Sequence, residues 1–252
     1  MLPEAMMKHL REASRVAILT GTGVATESGV PTVRESMHGH WAQYDVVDLA
    51  TQQGFVRNPR LVWEWYAERR TLIEQLMPSA AHYALVDLEQ FFDTFMLITQ
   101  TIDGLHWRAG SRELIELHGS IMRTRCYECG NHVTSWDDDG PIPPICPYDG
   151  GWLRPDIVWL GEGLPSHELA RTYRIAEHAQ VFLSIGTTAQ VQPAASLPLI
   201  AKRAGAMVIE INPEETALSV IADYWIQGHA LEVVPELTRQ LTGRTGMLEE
   251  GV

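Results

Sequence analysis

The amino-acid sequence predicts an α/β protein built on a doubly wound parallel sheet, with a smaller second lobe. Short apolar runs of β-type recur along the chain, helical patterns lie between them, and two stretches of different composition interrupt the alternation. Strands that alternate with helices form parallel sheets, because each helix carries the chain back across the sheet. With 252 residues, 45% hydrophobic and 20% charged, the chain can bury a core of this size.

The elements of the sheet and its covering helices follow in order. Apolar runs that are typical of short buried strands cover four segments, 15–20, 94–99, 181–185 and 207–211. Apolar residues at helical spacing cover four more, 3–14, 80–92, 166–178 and 194–204. Helices and strands therefore alternate over most of the chain.

Two stretches that break the alternation are predicted to form the smaller lobe. The first, 35–77, is rich in Trp, Tyr and charge and contains the helical run 59–75; the second, 119–153, holds all three cysteines, an acidic run and a proline-rich run. We therefore predict a main lobe of residues 1–34, 78–118 and 154–252, a helical module of residues 35–77 and a metal-binding module of residues 119–153. The tail after Gly243 is predicted to be loose.

Composition excludes several classes of protein. The chain has 19 Lys+Arg against 32 Asp+Glu, a net charge of −13, and no Lys/Arg-rich run, so we expect no direct binding of nucleic acid. Basic peptides suit such a surface better. No apolar stretch approaches the roughly 18 to 20 residues of a membrane span, and the start lacks the apolar core of a signal peptide, so a soluble, cytoplasmic protein is expected. Three cysteines argue against a secreted disulfide framework.

A glycine-rich loop, GTGVATESGVPTVR at 21–34, follows the first predicted strand. Glycines at a strand-to-helix turn let backbone N–H groups approach a pyrophosphate, whose charge the helix N-terminus also favours. The fingerprint G-x-G-x-x-G is incomplete, because Thr26 stands at its third glycine. The loop alone leaves nucleotide binding and a plain tight turn equally open.

Seven motifs in register, the loop among them, resemble the sirtuin family. The loop is similar to the family's G-A-G-x-S followed by S-G-I-P-x-F-R, and TQTIDGLH at 99–106 is similar to T-Q-N-I-D-G-L-H. The others are ELHGSIMRTRC at 116–126, LRPDIVWLGE at 153–162, GTTAQVQPAASLP at 186–198, IN at 211–212 and GHALEVVPEL at 228–237. The resemblance covers nearly the whole chain. It implies a Rossmann-like lobe, a small lobe with a zinc-ribbon-like module and a helical module, and a cleft in which NAD and an acyl-lysine peptide meet.

The resemblance assigns the catalytic role to His118, which stands at the family's general base. A neutral imidazole can accept a proton near pH 7, although a lone His is more often structural. In the implied reaction the acyl oxygen attacks C1′ of the nicotinamide ribose, nicotinamide leaves, and His118 deprotonates a ribose hydroxyl. The products are free lysine and an acyl ester of ADP-ribose.

The resemblance also marks the residues expected around NAD. Gln100 and Asp103 match positions near the ribose and the nicotinamide carboxamide, although Asp103 before Gly104 would by itself indicate only a turn. His106 and Trp107 are expected to be packing residues. The full set expected at the cofactor is Gly21, Thr22, Gly23, Val24, Ala25, Glu27, Thr32, Val33, Arg34, Gln100, Thr101, Ile102, Asp103, Gly186, Thr187, Thr188, Asn212, Glu214 and Ala230.

Tyr66 and Arg69 carry a finer signal about the acyl group. They are three residues apart, so a helix would place them on one face, where a phenol and a guanidinium can receive a carboxylate. Sirtuins with this Y-x-x-R pair remove malonyl and succinyl groups. The residues alone favour an exposed helix whose Arg pairs with Glu64 or Glu68; the surrounding match favours the carboxylate interpretation. The resemblance places the acyl-lysine tunnel at 158–160, that is, at Val158, Trp159 and Leu160.

The cysteines have the spacing of a zinc ribbon. Cys126 and Cys129 form one close pair, and Cys146 and Asp149 stand where the family has a second pair of cysteines. A carboxylate is an acceptable but less common zinc ligand. We expect a structural zinc on this Cys3Asp set. A site with His132 or a water as fourth ligand, and a module without metal, are the alternatives.

Several residues depart from the family pattern. Thr101 replaces an Asn, and a hydroxyl cannot reproduce an amide's two donors and carbonyl acceptor. Thr22 and Ala25 replace the usual Ala and Ser, while Val33 and Leu160 replace Phe. Together they predict slower deacylation, a larger acyl pocket, or NAD binding without turnover. The first hypothesis is an NAD-dependent protein-lysine deacylase that prefers acidic acyl groups; the alternatives are a degenerate NAD or ADP-ribose binding module and an NAD glycohydrolase or ADP-ribosyltransferase.

Overall fold

A computed structural model describes residues 2–137 and 139–243 of the chain. The predicted loose tail, and Asp138 of the acidic run, lie outside these residues. The strands in chain order are β1 (Arg15–Thr20), β2 (Thr94–Thr99), β3 (Leu114–Glu116), β4 (Gly119–Cys126), β5 (Leu153–Ile157), β6 (Val181–Ile185), β7 (Met207–Asn212) and β8 (Tyr224–Gln227).

Six of the strands form one parallel sheet in the order β3-β2-β1-β6-β7-β8. The four strands predicted from apolar runs, β1, β2, β6 and β7, are confirmed as its centre, where burial on both faces explains why their residues are almost all apolar. The two edge strands were not predicted. β3 has only three residues, and β8 is half-buried with an exposed end.

Helices cover both faces of the sheet, as the doubly wound prediction requires. They are α1 (Glu4–Glu12), α2 (Thr22–Thr26), α3 (Val46–Leu49), α4 (Gln52–Arg57), α5 (Pro59–Glu74), α6 (Ala80–Phe91), α7 (Leu105–Ala109), α8 (Ser166–His178), α9 (Leu197–Arg203) and α10 (Ala230–Thr242). Short 3₁₀ helices cover Gly39–Gln43 and Ala194–Ser196, the second of which replaces the start of the predicted helix 194–204. Among the helices of the described residues, none is long and apolar enough to cross a membrane.

The core consists of two apolar clusters separated by the sheet. Val16 and Ile18 of β1 pack into the cluster beneath α1, α6 and α10. Ala17 and Leu19, which alternate with them, pack into the cluster beneath α8 and α9. This alternation places one helical layer on each face of the sheet.

The strand order reverses between β1 and β6, and the loops after these two strands meet there. A Cβ on Gly21 would lie 2.6 Å from the Gly186 carbonyl oxygen, and one on Gly23 would lie 2.8 Å from the Gly186 Cα. Gly186 itself has a φ of +60°, which a side chain disfavours. The glycines are therefore required for this contact between two main chains. In open α/β sheets, such a reversal is where ligands bind.

The residues outside the sheet form their own apolar clusters. One lies among α3, α4, α5 and the β4–β5 hairpin, and the other surrounds Cys126 and Cys146. Trp63 of α5 packs edge-to-face on Trp136, which joins the helical segment to the cysteine-bearing segment. The β4–β5 pair is antiparallel. The exact division of the chain into lobes stays a prediction.

Candidate functional site

Two adjoining cavities open at the carboxyl ends of β1 and β6. Their volumes are about 640 and 530 Å³, and Thr22, Thr187 and Thr188 line both. The predicted cofactor residues that line the larger one alone are Gly23, Glu27, Gly186, Asn212, Glu214 and Ala230. Those that line the smaller one alone are Gly21, Ala25, Thr32, Val33, Gln100, Thr101, Ile102 and Asp103. Two adjoining cavities suit an elongated ligand such as a dinucleotide.

Two residues predicted at the cofactor line neither cavity. Val24 is buried in the core cluster below the sheet, because α2 turns this side chain inward. Arg34 is exposed in the loop after α2. Sequence position alone did not distinguish these residues from their neighbours.

The larger cavity is organised by hydrogen bonds to the backbone. The Asn212 amide donates to the Thr187 carbonyl oxygen (2.7 Å), which ties β7 to the loop after β6. The Glu27 carboxylate accepts the backbone N–H groups of Ala230 (2.9 Å) and Leu231 (2.6 Å), at the positive N-terminal end of α10. Burial nevertheless raises the pKa of Glu27 overall. Glu27 therefore acts as a cap of α10 while it lines the cavity.

His118 lies in the smaller cavity with one ring nitrogen engaged. Its Nδ1 is 2.9 Å from the Gln100 carbonyl oxygen. A carbonyl only accepts, so Nδ1 carries the hydrogen and Nε2 keeps the lone pair. Burial lowers the pKa of His118, which keeps the ring neutral near pH 7. The ring is thus prepared to accept a proton at Nε2.

Asp103 is buried in the wall of the same cavity. Its Oδ1 accepts the Leu105 backbone N–H (2.7 Å), and its Oδ2 has no hydrogen-bond partner in the described part of the chain. Burial raises the pKa of Asp103. A buried carboxylate oxygen without a partner fits a ligand that brings its own N–H, such as a carboxamide. Together with the glycine contact at Gly186, this oxygen indicates that the site fits NAD.

Arg69 reaches the smaller cavity from α5, where it is buried. Its Nη1 donates to the Ser36 hydroxyl and its Nη2 to the Pro31 carbonyl oxygen (3.2 Å), while Nε has no partner in the described residues. Burial lowers the pKa of Arg69. No carboxylate of the described chain forms an ion pair with it, so its charge is uncompensated.

The alternative in which Arg69 pairs with Glu64 or Glu68 is wrong. Glu64 pairs with Arg60 (2.8 Å), and Glu68 accepts the Trp41 indole N–H (2.8 Å). The exposed helix that this alternative assumed is also not observed, because α5 buries Arg69.

Tyr66 lies on the buried face of α5 but does not line the cavity itself. Its hydroxyl accepts the Trp159 indole N–H (3.1 Å), and Trp159 does line the cavity. Burial raises the pKa of Tyr66, so the hydroxyl keeps its hydrogen. Tyr66 therefore acts on this cavity through Trp159, and only Arg69 of the pair reaches it directly.

The loop that carries Val158, Trp159 and Leu160 is held by an ion pair that the sequence analysis missed. Arg154 donates to both oxygens of Glu162 (2.6 and 2.9 Å), and its guanidinium stacks 3.4 Å from the centroid of the Trp159 ring. Glu162 also accepts the Trp159 backbone N–H (2.9 Å). Both charged residues belong to the motif LRPDIVWLGE, but their pairing across the loop was not visible from spacing.

The two positions at which this chain has a smaller residue where the sirtuin pattern has Phe border the same cavity. Val33 is half-buried in its wall, and Leu160 is 61% exposed at the loop. All three predicted tunnel residues, Val158, Trp159 and Leu160, line the cavity with His118.

The four predicted metal ligands lie close together in the structure. That the metal is zinc is inferred from the chemistry of these side chains. One ligand atom from each of Cys126, Cys129, Cys146 and Asp149 lies within 4.8 Å of all the others. The Cys129 and Cys146 sulfurs are 3.9 Å apart, and Asp149 Oδ1 is 3.3 Å from the Cys126 sulfur. With Zn–S bonds of about 2.3 Å, the sulfurs of a tetrahedral site are roughly 3.8 Å apart, so this set fits zinc.

His132 is outside this group, contrary to the alternative that made it the fourth ligand. Its Nδ1 lies 3.8 Å from a carboxylate oxygen of Asp156 on β5. The cysteine group therefore has Asp149, and not His132, in its fourth position among the described residues.

Comparisons with known proteins agree with this geometry. The model of the Sir2 family matches residues 21–193. An NAD-dependent protein deacylase of Aquifex aeolicus is 46% identical over 239 residues, which cover 93% of this chain and all of that protein. NAD-dependent protein deacylase 1 of Archaeoglobus fulgidus is 46% identical over 242 residues, covering 95% of this chain and 98% of that protein.

Solved structures give the same result. A complex of a Sir2 homologue with NAD superposes with a TM-score of 0.88 at 45% identity, covering 96% of this chain and 94% of that one. A Sir2 protein bound to acetylated peptide superposes with a TM-score of 0.84 at 28% identity, covering 95% and 98%.

Proposed function

This chain belongs to the Sir2 family, and from that premise we propose that it is an NAD-dependent protein-lysine deacylase which prefers acyl groups that end in a carboxylate. The curated relatives above are named as deacylases, and a likeness of this extent supports the same reaction class. The preference for acidic acyl groups rests on this chain's own residues. We place the protein in the cytoplasm with acyl-lysine peptides as partners, as the sequence predicts.

The observation that carries the acyl preference is the uncompensated charge of Arg69. A buried guanidinium without a carboxylate partner is costly, because desolvation is not repaid by an ion pair. Arg69 lines the cavity that also contains His118, and its Nε–H is left without an acceptor. A succinyl or malonyl group on lysine would bring the missing carboxylate to this position.

The arrangement of the cavity supports a separate role in the reaction for each of its residues. NAD, when bound, supplies the ribose carbon that the acyl oxygen attacks and the nicotinamide that departs. His118, with Nδ1 fixed by Gln100, would accept the proton of a ribose hydroxyl at Nε2. Asp103 would hold the carboxamide end, and Trp159 would form part of the wall along which the lysine chain lies.

Val33 and Leu160 support a further element of the proposal, which is room for a larger acyl group. Both side chains are smaller than the Phe that the sirtuin pattern has at these positions, and both border the cavity of His118. Long-chain acyl peptides should therefore react with a kcat/KM above that of uncharged short-chain ones such as acetyl peptides. An equal or lower kcat/KM would contradict this element alone.

Zinc completes the proposal as a structural ion. Cys126, Cys129, Cys146 and Asp149 would hold it by three thiolates and a carboxylate. The cluster lies at the end of β4 and in the segment that follows it, and none of its four residues lines the His118 cavity. We therefore assign the ion a role in folding this segment and none in the reaction.

The test is mass spectrometry of one peptide carrying acetyl-, malonyl-, succinyl- or long-chain acyl-lysine, incubated with the protein and NAD, with nicotinamide measured in parallel. We expect loss of the acyl group with an equal amount of nicotinamide, fastest for the acidic groups. Nicotinamide release without peptide would indicate an NAD glycohydrolase. No release with any peptide would indicate a binding module. His118→Asn is the control for non-enzymatic loss of the acyl group.

A further inference from the structure

We propose that Ser36 is the residue that positions Arg69 for an acyl carboxylate, because it holds the buried guanidinium with an uncharged acceptor. This inference deepens the proposed acyl preference and takes its substrate, an acyl group that ends in a carboxylate, from that proposal. Ser36 lies in the loop after α2, two residues beyond the glycine-rich motif that ends at Arg34. The motif and the spacing of the acyl readers therefore gave no indication of it.

The hydroxyl of Ser36 has a fixed direction. It donates its only hydrogen to the Thr32 carbonyl oxygen (2.9 Å), which also accepts the Ser36 backbone N–H (3.0 Å). Thr32 and Glu35 close the same turn, since the Thr32 N–H is donated to the Glu35 carboxylate (2.8 Å) and the Glu35 N–H to the Thr32 hydroxyl (3.3 Å). Only lone pairs remain on the Ser36 oxygen, so it presents an acceptor to Arg69.

The guanidinium of Arg69 is held at three points. Nη1 donates to the Ser36 hydroxyl, Nη2 donates to the Pro31 carbonyl oxygen (3.2 Å), and Cζ lies 5.0 Å from the centroid of the Trp65 ring. Ser36 and Arg69 are both buried. None of the three partners carries a charge. They therefore fix the orientation of the guanidinium and leave its charge uncompensated.

Arg154 shows the other way in which this protein holds a buried guanidinium. It is just as buried as Arg69, but it donates to both oxygens of Glu162, so its charge is already paired. A carboxylate partner of this kind would compete with the carboxylate of a substrate. An uncharged holder fixes the same geometry and leaves the electrostatic attraction to the acyl group. The uncharged side chain at position 36 is thus what makes Arg69 a receptor instead of half of an ion pair.

The guanidinium also has a competing position, from which Ser36 keeps it. A cavity of about 60 Å³ is lined by Ser36, Arg69 and Glu68, among others. Glu68 accepts the indole N–H of Trp41 (2.8 Å) and offers a carboxylate of the chain itself at this cavity. Without the hydrogen bond to Ser36, Nη1 would be free to turn into this space. Ser36 therefore keeps Arg69 available in the cavity of His118.

The first test is steady-state kinetics of four variants with acetyl- and succinyl-lysine versions of one peptide at saturating NAD. Ser36→Ala should raise the KM for the succinyl peptide roughly tenfold, because it removes a hydrogen bond to a charged group. The kcat, and both constants for the acetyl peptide, should change by less than about threefold. Ser36→Thr retains the hydroxyl and should restore the KM. Ser36→Asp should abolish the succinyl preference, whereas Ser36→Asn, of equal size but uncharged, should keep it.

The second test reads the position of Arg69 without peptide or turnover. In protein labelled with ¹⁵N at arginine, hydrogen bonds at Nη1 and Nη2 hinder rotation of the guanidinium and should give separate signals for its Nη hydrogens. Arg69→Met identifies these signals by their loss. We expect them in the wild type and in Ser36→Thr, and we expect a single averaged signal in Ser36→Ala.

Three results would overturn the inference: an unchanged succinyl KM in Ser36→Ala, an equal rise of the acetyl and succinyl KM, or equal behaviour of the Asp and Asn variants. If melting curves show that Ser36→Ala does not fold, the Asp and Asn pair, which differs in charge alone, still decides it. Separate Nη signals in a wild type that treats acetyl and succinyl peptides alike would contradict the proposed acyl preference. That result would leave the positioning of Arg69 by Ser36 standing.

Discussion

Replacing Arg69 by Met should remove the preference for acidic acyl groups and leave a working deacylase. A guanidinium has five N–H donors. One from Nη1 is donated to Ser36 and one from Nη2 to Pro31, while Nε has no acceptor among the described residues. Three N–H groups therefore remain, which suffice for a bidentate pair with one carboxylate.

The expected magnitude follows from that number of donors. A hydrogen bond between charged groups contributes about 1.5–3 kcal/mol, so a bidentate pair with correlated partners is worth about 3 kcal/mol, or roughly a 100-fold change in kcat/KM. The kcat/KM for succinyl-lysine peptide should fall by roughly this factor in Arg69→Met. That for acetyl-lysine peptide should change by less than about threefold, because the acetyl group presents no carboxylate to lose.

The assay is steady-state kinetics with acetyl-, malonyl- and succinyl-lysine versions of one peptide. Arg70→Met is the matched control on the same helix, because Arg70 donates to the Ile121 carbonyl oxygen (2.8 Å) and lines neither cavity. Melting temperatures of both variants exclude a loss of folding. The reasoning is refuted if Arg69→Met lowers acetyl and succinyl turnover equally, or if Arg70→Met discriminates between them as well.

Three further predictions concern the loop, the base and the metal. Glu162→Gln leaves Arg154 buried without its partner and should lower the free energy of unfolding by about 3 kcal/mol in urea titration. Because the fold lowers the pKa of Glu162, the wild type should lose this stability as pH falls below about 4.3, and the variant should not. Because burial lowers the pKa of His118, kcat/KM should rise with pH along a limb centred below the usual histidine value of about 6.5, and a limb centred above that value would contradict this prediction. Asp149→Cys should bind zinc more tightly in competition with a chelator, and unchanged affinity would remove Asp149 from the ligands.

The centre of the fold was predictable from the sequence, while its edges were not. Strands such as β1 and β6 are buried on both faces, so local apolar runs identify them. The β4–β5 hairpin alternates buried residues with charged ones such as Arg123 and Asp156, whose ion pair only forms once the two strands meet. Helix α10 contains Pro235, which obscures its helical pattern.

The candidate site was likewise predictable only in those residues that stand in local sequence motifs. His118 and Asp103 stand in local motifs, so the resemblance was enough to predict them. The partners that determine their chemistry are distant in the chain or belong to the backbone: Arg69 meets Ser36, 33 residues away, and His118 meets the Gln100 carbonyl. The resemblance also placed Arg34 at the cofactor, whereas the structure leaves it exposed and outside both cavities. Side-chain direction and tertiary hydrogen bonds decide such cases, and neither has a signature in a single sequence.

The contact between Gly21, Gly23 and Gly186 has a consequence for how such a protein can evolve. The floor beneath the proposed cofactor is made of main chain, so substitutions elsewhere alter its shape little, and a single added Cβ would force the loops after β1 and β6 apart. The acyl end is instead made of side chains, among them Arg69 and Leu160. Changes in acyl selectivity can therefore accumulate one residue at a time without disturbing the floor on which NAD would rest.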